Sequence, residues 1–144
     1  SDLAASIQPQ HAMDDRDVIA RFWGTPAGIP YAFNSLHKAG TKLLMGSDAP
    51  VAPLDPWMAI SAAVFGTESS DREPFQPEQC LDFETALASS TAVGRVALRD
   101  ADAADLVLLD CDPSIIDSPE AMRAMPEHVL GTMLAGRWTY QQAE

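Results

Sequence analysis

Two short apolar segments separated by helical sequence constrain the fold of this chain more than any other feature. Residues 3–7 and residues 42–45 are each long enough for one buried strand, and each leads into proline-containing sequence that a central strand does not accommodate. Residues 14–23 begin with two aspartates and end before a glycine, and residues 31–39 lie between a proline and a glycine, so both stretches are predicted to be helical. The order strand, helix, strand is typical of a parallel crossover unit.

The rest of the chain changes from helical to mostly β sequence. The elements predicted there, in chain order, are a helix over residues 57–65, a loop over 67–79, a helix capped by Asp82 that runs to about residue 93, a strand over 104–110, a short helix from Ser118, and a hairpin of 129–134 and 138–140. The change of character lies near residues 95–103. We therefore expect an α/β unit over residues 1–100 and a second, mostly β unit over residues 101–144.

The length and composition indicate one globular domain or part of a larger one. Single domains usually contain about 100–200 residues, and this chain has 144 residues, of which 47% are hydrophobic and 21% charged. It lacks an initiator methionine and enters an apolar segment almost at once. These features lead us to expect a fragment of a longer protein.

The charge balance disfavours nucleic acid and membrane surfaces as partners. Nine basic residues against 21 acidic ones give a net charge of -12, which repels phosphate groups. The apolar runs are far shorter than the roughly 20 residues that a membrane-spanning helix needs. Cys80 and Cys111 could form at most one disulfide and have no C-x-x-C spacing. A cytoplasmic protein is the expectation.

Two polar residues that follow the predicted strands are the candidates for a functional site. Asp48 lies just after the second strand, at the end where parallel α/β proteins bind ligands, so its carboxylate could hold a metal or transfer a proton. Alternatively, Asp48 caps the turn before Pro50. His11 is expected in a loop after the first strand, on the same rim, although a single loop histidine is more often structural or solvated.

The other reactive residue types receive no catalytic role. His37 and His128 are expected to be structural or at the surface, and Cys111 lies between two aspartates, which disfavour its thiolate. The sequence contains no H-x-H, H-E-x-x-H, G-x-S-x-G or glycine-rich phosphate loop. Motifs alone therefore do not assign a reaction.

The order of several short motifs resembles the C-terminal part of the amidohydrolase superfamily. These motifs are SIQPQH at residues 6–11, YAFNSL at 31–36, GSDAPV at 46–51 with LDP at 54–56, ADLVLLD at 104–110, and GR at 136–137 before Tyr140. The most similar branch is that of the YtcJ-like metal-dependent hydrolases, which include N-substituted formamide deformylases. The resemblance covers nearly the whole chain.

This resemblance implies a fold, a cofactor and site residues. The fold would be the last two strand-helix units of a (β/α)8 metal-dependent hydrolase barrel, followed by the C-terminal part of a small β-sandwich. The metal, usually zinc, would be held in part by Asp48, which takes a proton from the metal-activated water during hydrolysis of an amide or formamide C–N bond. His11 would face the substrate. The remaining metal ligands are absent from these residues.

The resemblance also implies that the chain is inactive alone. A closed barrel takes about 250 residues, so the expected partners are a small amide-type substrate and either the missing N-terminal part or a second copy that pairs through open strand edges. The alternative, from a different functional class, is a non-catalytic acidic binding or assembly module derived from the same fold.

Overall fold

The structure, a computed structural model, describes residues 3–23, 28–91, 94, 99 and 102–143. The strands are β1 (Ala4–Ile7), β2 (Lys42–Met45), β3 (Leu106–Leu109), β4 (Val129–Leu134) and β5 (Arg137–Gln141). The helices are α1 (Pro9–Phe22), α2 (Phe33–Lys38), α3 (Pro56–Phe65), α4 (Phe83–Ser89) and α5 (Pro119–Arg123). Short 3-10 turns cover Pro77–Gln79, Pro113–Ile115 and Met125–His128.

The predicted crossover unit is confirmed. β1 and β2 pair in parallel, from Ala4 opposite Lys42 to Ile7 opposite Met45, and α1 and α2 lie between them in the chain. The pairing continues past the strand ends, because the Gly46 N–H donates to the Ile7 carbonyl at 3.0 Å. The residues that follow the two strands therefore leave the sheet at the same end, next to each other.

The first helix begins five residues earlier than the sequence predicts. α1 starts at Pro9 and not at Asp14, so His11 lies in its first turn and the prediction of a loop there is wrong. Proline is favoured at the first helical position, because its fixed φ suits the helix and its missing N–H has no intrahelical acceptor there. Pro9 thus ends the strand and begins the helix, with no loop between them.

The fourth helix ends earlier than predicted. The Asp82 cap is confirmed, since its carboxylate accepts the Thr85 N–H at 2.8 Å, but α4 stops at Ser89, about four residues before the predicted end. The hydroxyls of Ser90 and Thr91 donate to carbonyls of the preceding turn, and such back-bonding competes with continued helix. Residues 92–93 and most of the predicted boundary at 95–103 lie outside the described residues.

The core surrounds α3, which packs against α1, α4 and α5. Ile60 on α3 is 1% exposed, and it belongs to a buried cluster with Ile7 and Leu43 of the parallel strands and Met122 of α5. α3 can be buried on several sides because its sequence is apolar around nearly its whole circumference. Within the described ranges, no helix is both long and apolar enough to cross a bilayer.

The C-terminal strands form a separate antiparallel sheet in the order β3, β4, β5. The predicted hairpin is confirmed, and its turn residues Ala135 and Gly136 have φ values of 50° and 75°. Positive φ at both central positions is the geometry that matches the twist of a two-residue hairpin. β5 is exposed along its length, and Trp138 and Tyr140 present apolar surface to solvent.

Candidate functional site

The parallel pairing brings together the two residues that the sequence singles out. Asp48 lies three residues beyond the end of β2, and His11 lies in the first turn of α1, directly after β1. His11 Nε2 is 3.9 Å from Asp48 Oδ2. This separation is too long for a hydrogen bond but within the limit of about 4 Å for an ion pair.

The backbone at Asp48 forms a turn in which the side chain accepts no hydrogen bond from a described amide. Asp48 has a φ of 57°, in the left-handed region that aspartate tolerates better than most residues. Its carbonyl accepts the Val51 N–H at 2.9 Å, so the backbone and not the carboxylate closes the turn. Among the described residues, the Asp48 carboxylate receives no hydrogen bond. It therefore does not cap the turn before Pro50.

The two side chains differ in burial. The Asp48 side chain is 61% exposed, whereas that of His11 is 25% exposed. His11 Nε2 itself is buried and has no hydrogen-bond partner among the described residues. A buried nitrogen without a partner costs about 1–3 kcal/mol, so a ligand that reaches Nε2 beside the Asp48 carboxylate would remove this penalty.

Both residues are held by anchored segments. Arg16 of α1 donates to the Glu73 carbonyl at 2.6 Å, and its guanidinium lies over the Phe75 ring. These contacts fix α1 to the loop that follows α3. On the other side, the turn after Asp48 leads into α3, whose N-cap Asp55 accepts the Trp57 N–H at 2.9 Å. The aspartate of the LDP motif is therefore a helix cap.

The YAFNSL motif contributes packing and hydrogen bonds to this region. The Tyr31 hydroxyl donates to the Asp15 carboxylate of α1, and partial burial together with that carboxylate raises the pKa of Tyr31 above its usual value. Asn34 donates its side-chain N–H to the Glu78 carbonyl at 2.9 Å. Tyr31 stays protonated at neutral pH and acts as a structural donor.

The donors at this edge fit a divalent cation. The carboxylate oxygen of Asp48 is a ligand type that zinc accepts at about 2.0–2.2 Å. His11 Nε2 lies 3.9 Å from that carboxylate, so a molecule bound beside the ion could reach it. Neither atom has a hydrogen bond to another described group. One ligand does not complete a zinc site, which takes three or four protein ligands.

A cleft of about 680 Å³ lies elsewhere on the molecule. His37, Lys42, Asp82 and Arg99 are among the residues that line it. Lys42 begins β2, so the cleft is at the amino end of that strand and Asp48 is at the other end. In parallel α/β barrels the chemistry takes place at the carboxyl ends of the strands, and the cleft is therefore not part of the candidate site.

A second group of donor atoms was missed by the sequence analysis. Ligand atoms of Asp110, Cys111 and His128 all lie within 4.8 Å of one another. No ligand motif in the sequence indicates this group, because His128 is distant from Asp110 and Cys111 in the chain. The three residues meet only through the pairing of β3 with β4. His37, the other histidine without an expected role, is exposed at the end of α2.

Comparison with known proteins places the chain in a family. A profile of the amidohydrolase family matches residues 2–140. The chain is 29% identical to Protein LONG AFTER FAR-RED 3 of Arabidopsis thaliana over 149 aligned positions, which cover 96% of this chain and 25% of that protein. It thus spans about a quarter of the length of this relative. No solved structure matches the chain significantly.

Because the profile covers nearly all of the sequence, the chain belongs to the amidohydrolase family. That family is typically metal-dependent and hydrolytic.

Proposed function

We propose that this chain is the C-terminal portion of a metal-dependent amidohydrolase that cleaves a C–N bond in a small amide or formamide-type substrate. β1 and β2 would be the last two strands of a (β/α)8 barrel, and β3–β5 the C-terminal share of a β-sandwich. The observation that carries the proposal is the meeting of Asp48 and His11 at the carboxyl end of the parallel pair, 3.9 Å apart and without hydrogen bonds to other described groups.

Asp48 is assigned two roles, metal ligand and general base. A zinc ion, when bound, would lower the pKa of coordinated water to about 7. The Asp48 carboxylate accepts a proton at one oxygen and transfers it to the leaving nitrogen, as a general base and then a general acid. Since no described amide engages this carboxylate, both of its oxygens are available for these roles.

His11 is assigned to the substrate. Its buried Nε2 lacks a partner, so a polar group of the substrate, such as the carbonyl or amide, would form a hydrogen bond there. His11 lies in the first turn of α1, and Arg16 fixes this helix to the loop beyond α3, which limits movement of the backbone that carries the imidazole. His11 therefore contributes to binding and orientation and not to proton transfer.

Activity would require further barrel strands and metal ligands, which these residues do not supply. Each parallel strand pairs on one side only among the described residues, so the outer edges of β1 and β2 are open. Open edges invite further strand pairing. The remaining strands and metal ligands would come from the rest of the same protein or from a second copy of the chain, and the chain alone would be inactive.

Metal removal tests the proposal. The whole protein, dialysed against a chelator and checked for residual metal by mass spectrometry, is expected to lose hydrolysis of formamide-type substrates down to the buffer background. Added zinc should restore it, since the nucleophile depends on the ion. Unchanged hydrolysis by protein shown to be metal-free would contradict the assignment.

Substitution of His11 tests its separate role. The His11→Ala variant of the whole protein is expected to raise KM by about 5- to 30-fold, the range of one lost hydrogen bond of about 1–2 kcal/mol. Because His11 is assigned to the substrate and not to the metal, the variant should leave the metal content and most of kcat unchanged. His37→Ala, at an exposed position on α2, is the matched control and should leave both constants within about twofold. Loss of bound metal in His11→Ala would instead make His11 a ligand.

A further inference from the structure

The end of β3 and the start of β4 carry three different metal-binding side chains in one small region. Asp110 and Cys111 follow β3, and His128 precedes β4. A carboxylate oxygen, a thiol sulfur and an imidazole nitrogen there lie within 4.8 Å of one another. Atoms bound to one ion at about 2.0–2.3 Å are never farther apart than roughly 4.6 Å, so small side-chain rotations would bring all three into range.

The backbone of this region is already in place. The Asp110 N–H donates to the His128 carbonyl at 3.1 Å, which continues the pairing of β3 and β4 into the segment that holds the ligands. His128 Nδ1 is also 2.8 Å from Asp110 Oδ1. The main chain therefore need not reorganise for an ion to bind, which reduces the entropy cost of assembling the site.

The chemistry of the donors selects a cation. Thiolate and imidazole favour zinc and other borderline or soft ions over Mg²⁺ and Ca²⁺, which prefer oxygen ligands. With ionised Asp110 and Cys111, the ligand set carries two negative charges, which neutralise a divalent ion. Partial burial and the charges of Asp110 and Asp112 raise the pKa of the Cys111 thiol, so the thiol must release its proton when an ion binds.

The surroundings resemble those of a structural site. Met125 is 0% exposed, and its sulfur is 3.7 Å from Cys111 Sγ, so the thiol packs against the apolar core. The side chains of Asp110 and His128 are 47% and 43% exposed, respectively, which leaves an entry path from solvent. An ion held here would fasten the start of β4 to the end of β3, next to residues that pack on the main core.

From these observations we propose a zinc site formed by Asp110, Cys111 and His128, separate from the hydrolytic site and with a structural role. It does not depend on Asp48 or His11. Water or a further side chain would take the fourth position, as in other sites with three protein ligands.

Cobalt spectroscopy tests this site without reference to activity. Co²⁺ added to the reduced, untagged chain is expected to give a thiolate-to-cobalt charge-transfer band in the near ultraviolet that saturates at one equivalent and is abolished by Zn²⁺ but not by Mg²⁺. The band reports on sulfur ligands only, so oxygen and nitrogen sites elsewhere, including one at Asp48, do not contribute. Absence of the band with excess Co²⁺ at neutral pH would overturn the proposal.

Matched variants identify the ligands. Cys111→Ser should abolish the band, whereas Cys80→Ser, which removes the other partly buried thiol, should retain it. His128→Asn should weaken Zn²⁺ binding by about tenfold or more, the range seen even for groups that only support a ligand, and His37→Asn should not change it. A band that persists in Cys111→Ser would overturn the proposal. Far-ultraviolet circular dichroism of each variant verifies that it is folded.

Protection from alkylation gives a second readout. Zn²⁺ should slow iodoacetamide modification of Cys111 by about tenfold or more, because a coordinated thiolate is a weaker and less accessible nucleophile. The rate at Cys80, followed in the same digest by mass spectrometry, should not change. Equal rates at Cys111 with and without Zn²⁺ would contradict coordination by its sulfur.

Discussion

Replacing Asp48 with asparagine in the whole protein is expected to reduce kcat/KM for a formamide-type substrate by about 10²- to 10⁴-fold, the range for loss of a general base. Asparagine has nearly the same size and retains one carbonyl oxygen, but it cannot accept a proton at neutral pH. The exposed carboxylate makes no described hydrogen bond, so its removal should not disturb the fold. Steady-state kinetics with zinc-loaded protein measure the effect.

A nearby aspartate supplies the control. Asp55→Asn changes the same functional group seven residues further on, where asparagine still caps α3, and it should alter kcat/KM by less than about threefold. Metal analysis of Asp48→Asn separates its two roles: protein that retains zinc but is inactive has lost the base, and protein without zinc has lost a ligand. If Asp48→Asn retained the wild-type rate, Asp48 would have neither role.

The parallel strand pair, and the end of it at which Asp48 and His11 lie, were predictable because the signals that specify them are local. Two apolar segments of strand length, separated by helical sequence, leave few alternatives to a right-handed parallel crossover. Once the strands pair, the residues after each strand must lie at one edge. The cap at Asp82 and the turn at Ala135-Gly136 were predictable for the same reason, since each is determined by a few adjacent residues.

The start of α1 was mispredicted because one residue carries two signals. Pro9 ends a strand and also suits the first position of a helix, and the sequence does not say that both apply. Asp14 and Asp15 resemble a helix start but lie on the exposed side of α1, within the helix. The error concerns a candidate site residue, since His11 was expected in a loop and lies in the first turn of a helix.

The second donor group could not be predicted from sequence at all. Its members do not have the spacing of a known ligand motif, and they meet only because β3 and β4 pair in one particular register, with an irregularity between Leu108 and Leu109. Such a register depends on how the whole sheet packs. A Cys and a His that appear separately unremarkable in sequence thus become neighbours only in three dimensions.

Truncation of Ile60 to alanine is expected to destabilise the chain by about 2–5 kcal/mol, the range for large-to-small changes in a packed core. Ile60 is 1% exposed and lies on α3, the helix on which α1, α4 and α5 pack, so little freedom remains for neighbours to fill the cavity. Urea unfolding followed by circular dichroism measures the loss. Tryptophan fluorescence gives a second probe. Trp57 is buried one turn earlier on the same helix, whereas Trp23 and Trp138 are exposed in the folded chain.

Two further variants distinguish a cavity from a general effect of substitution. Ile60→Val removes one methylene and should cost about 0.5–1.5 kcal/mol, whereas Leu54→Ala, at a side chain that is 86% exposed, should cost less than about 0.5 kcal/mol. A cost for Ile60→Ala no larger than that of Leu54→Ala would show that α3 is not the centre of the core.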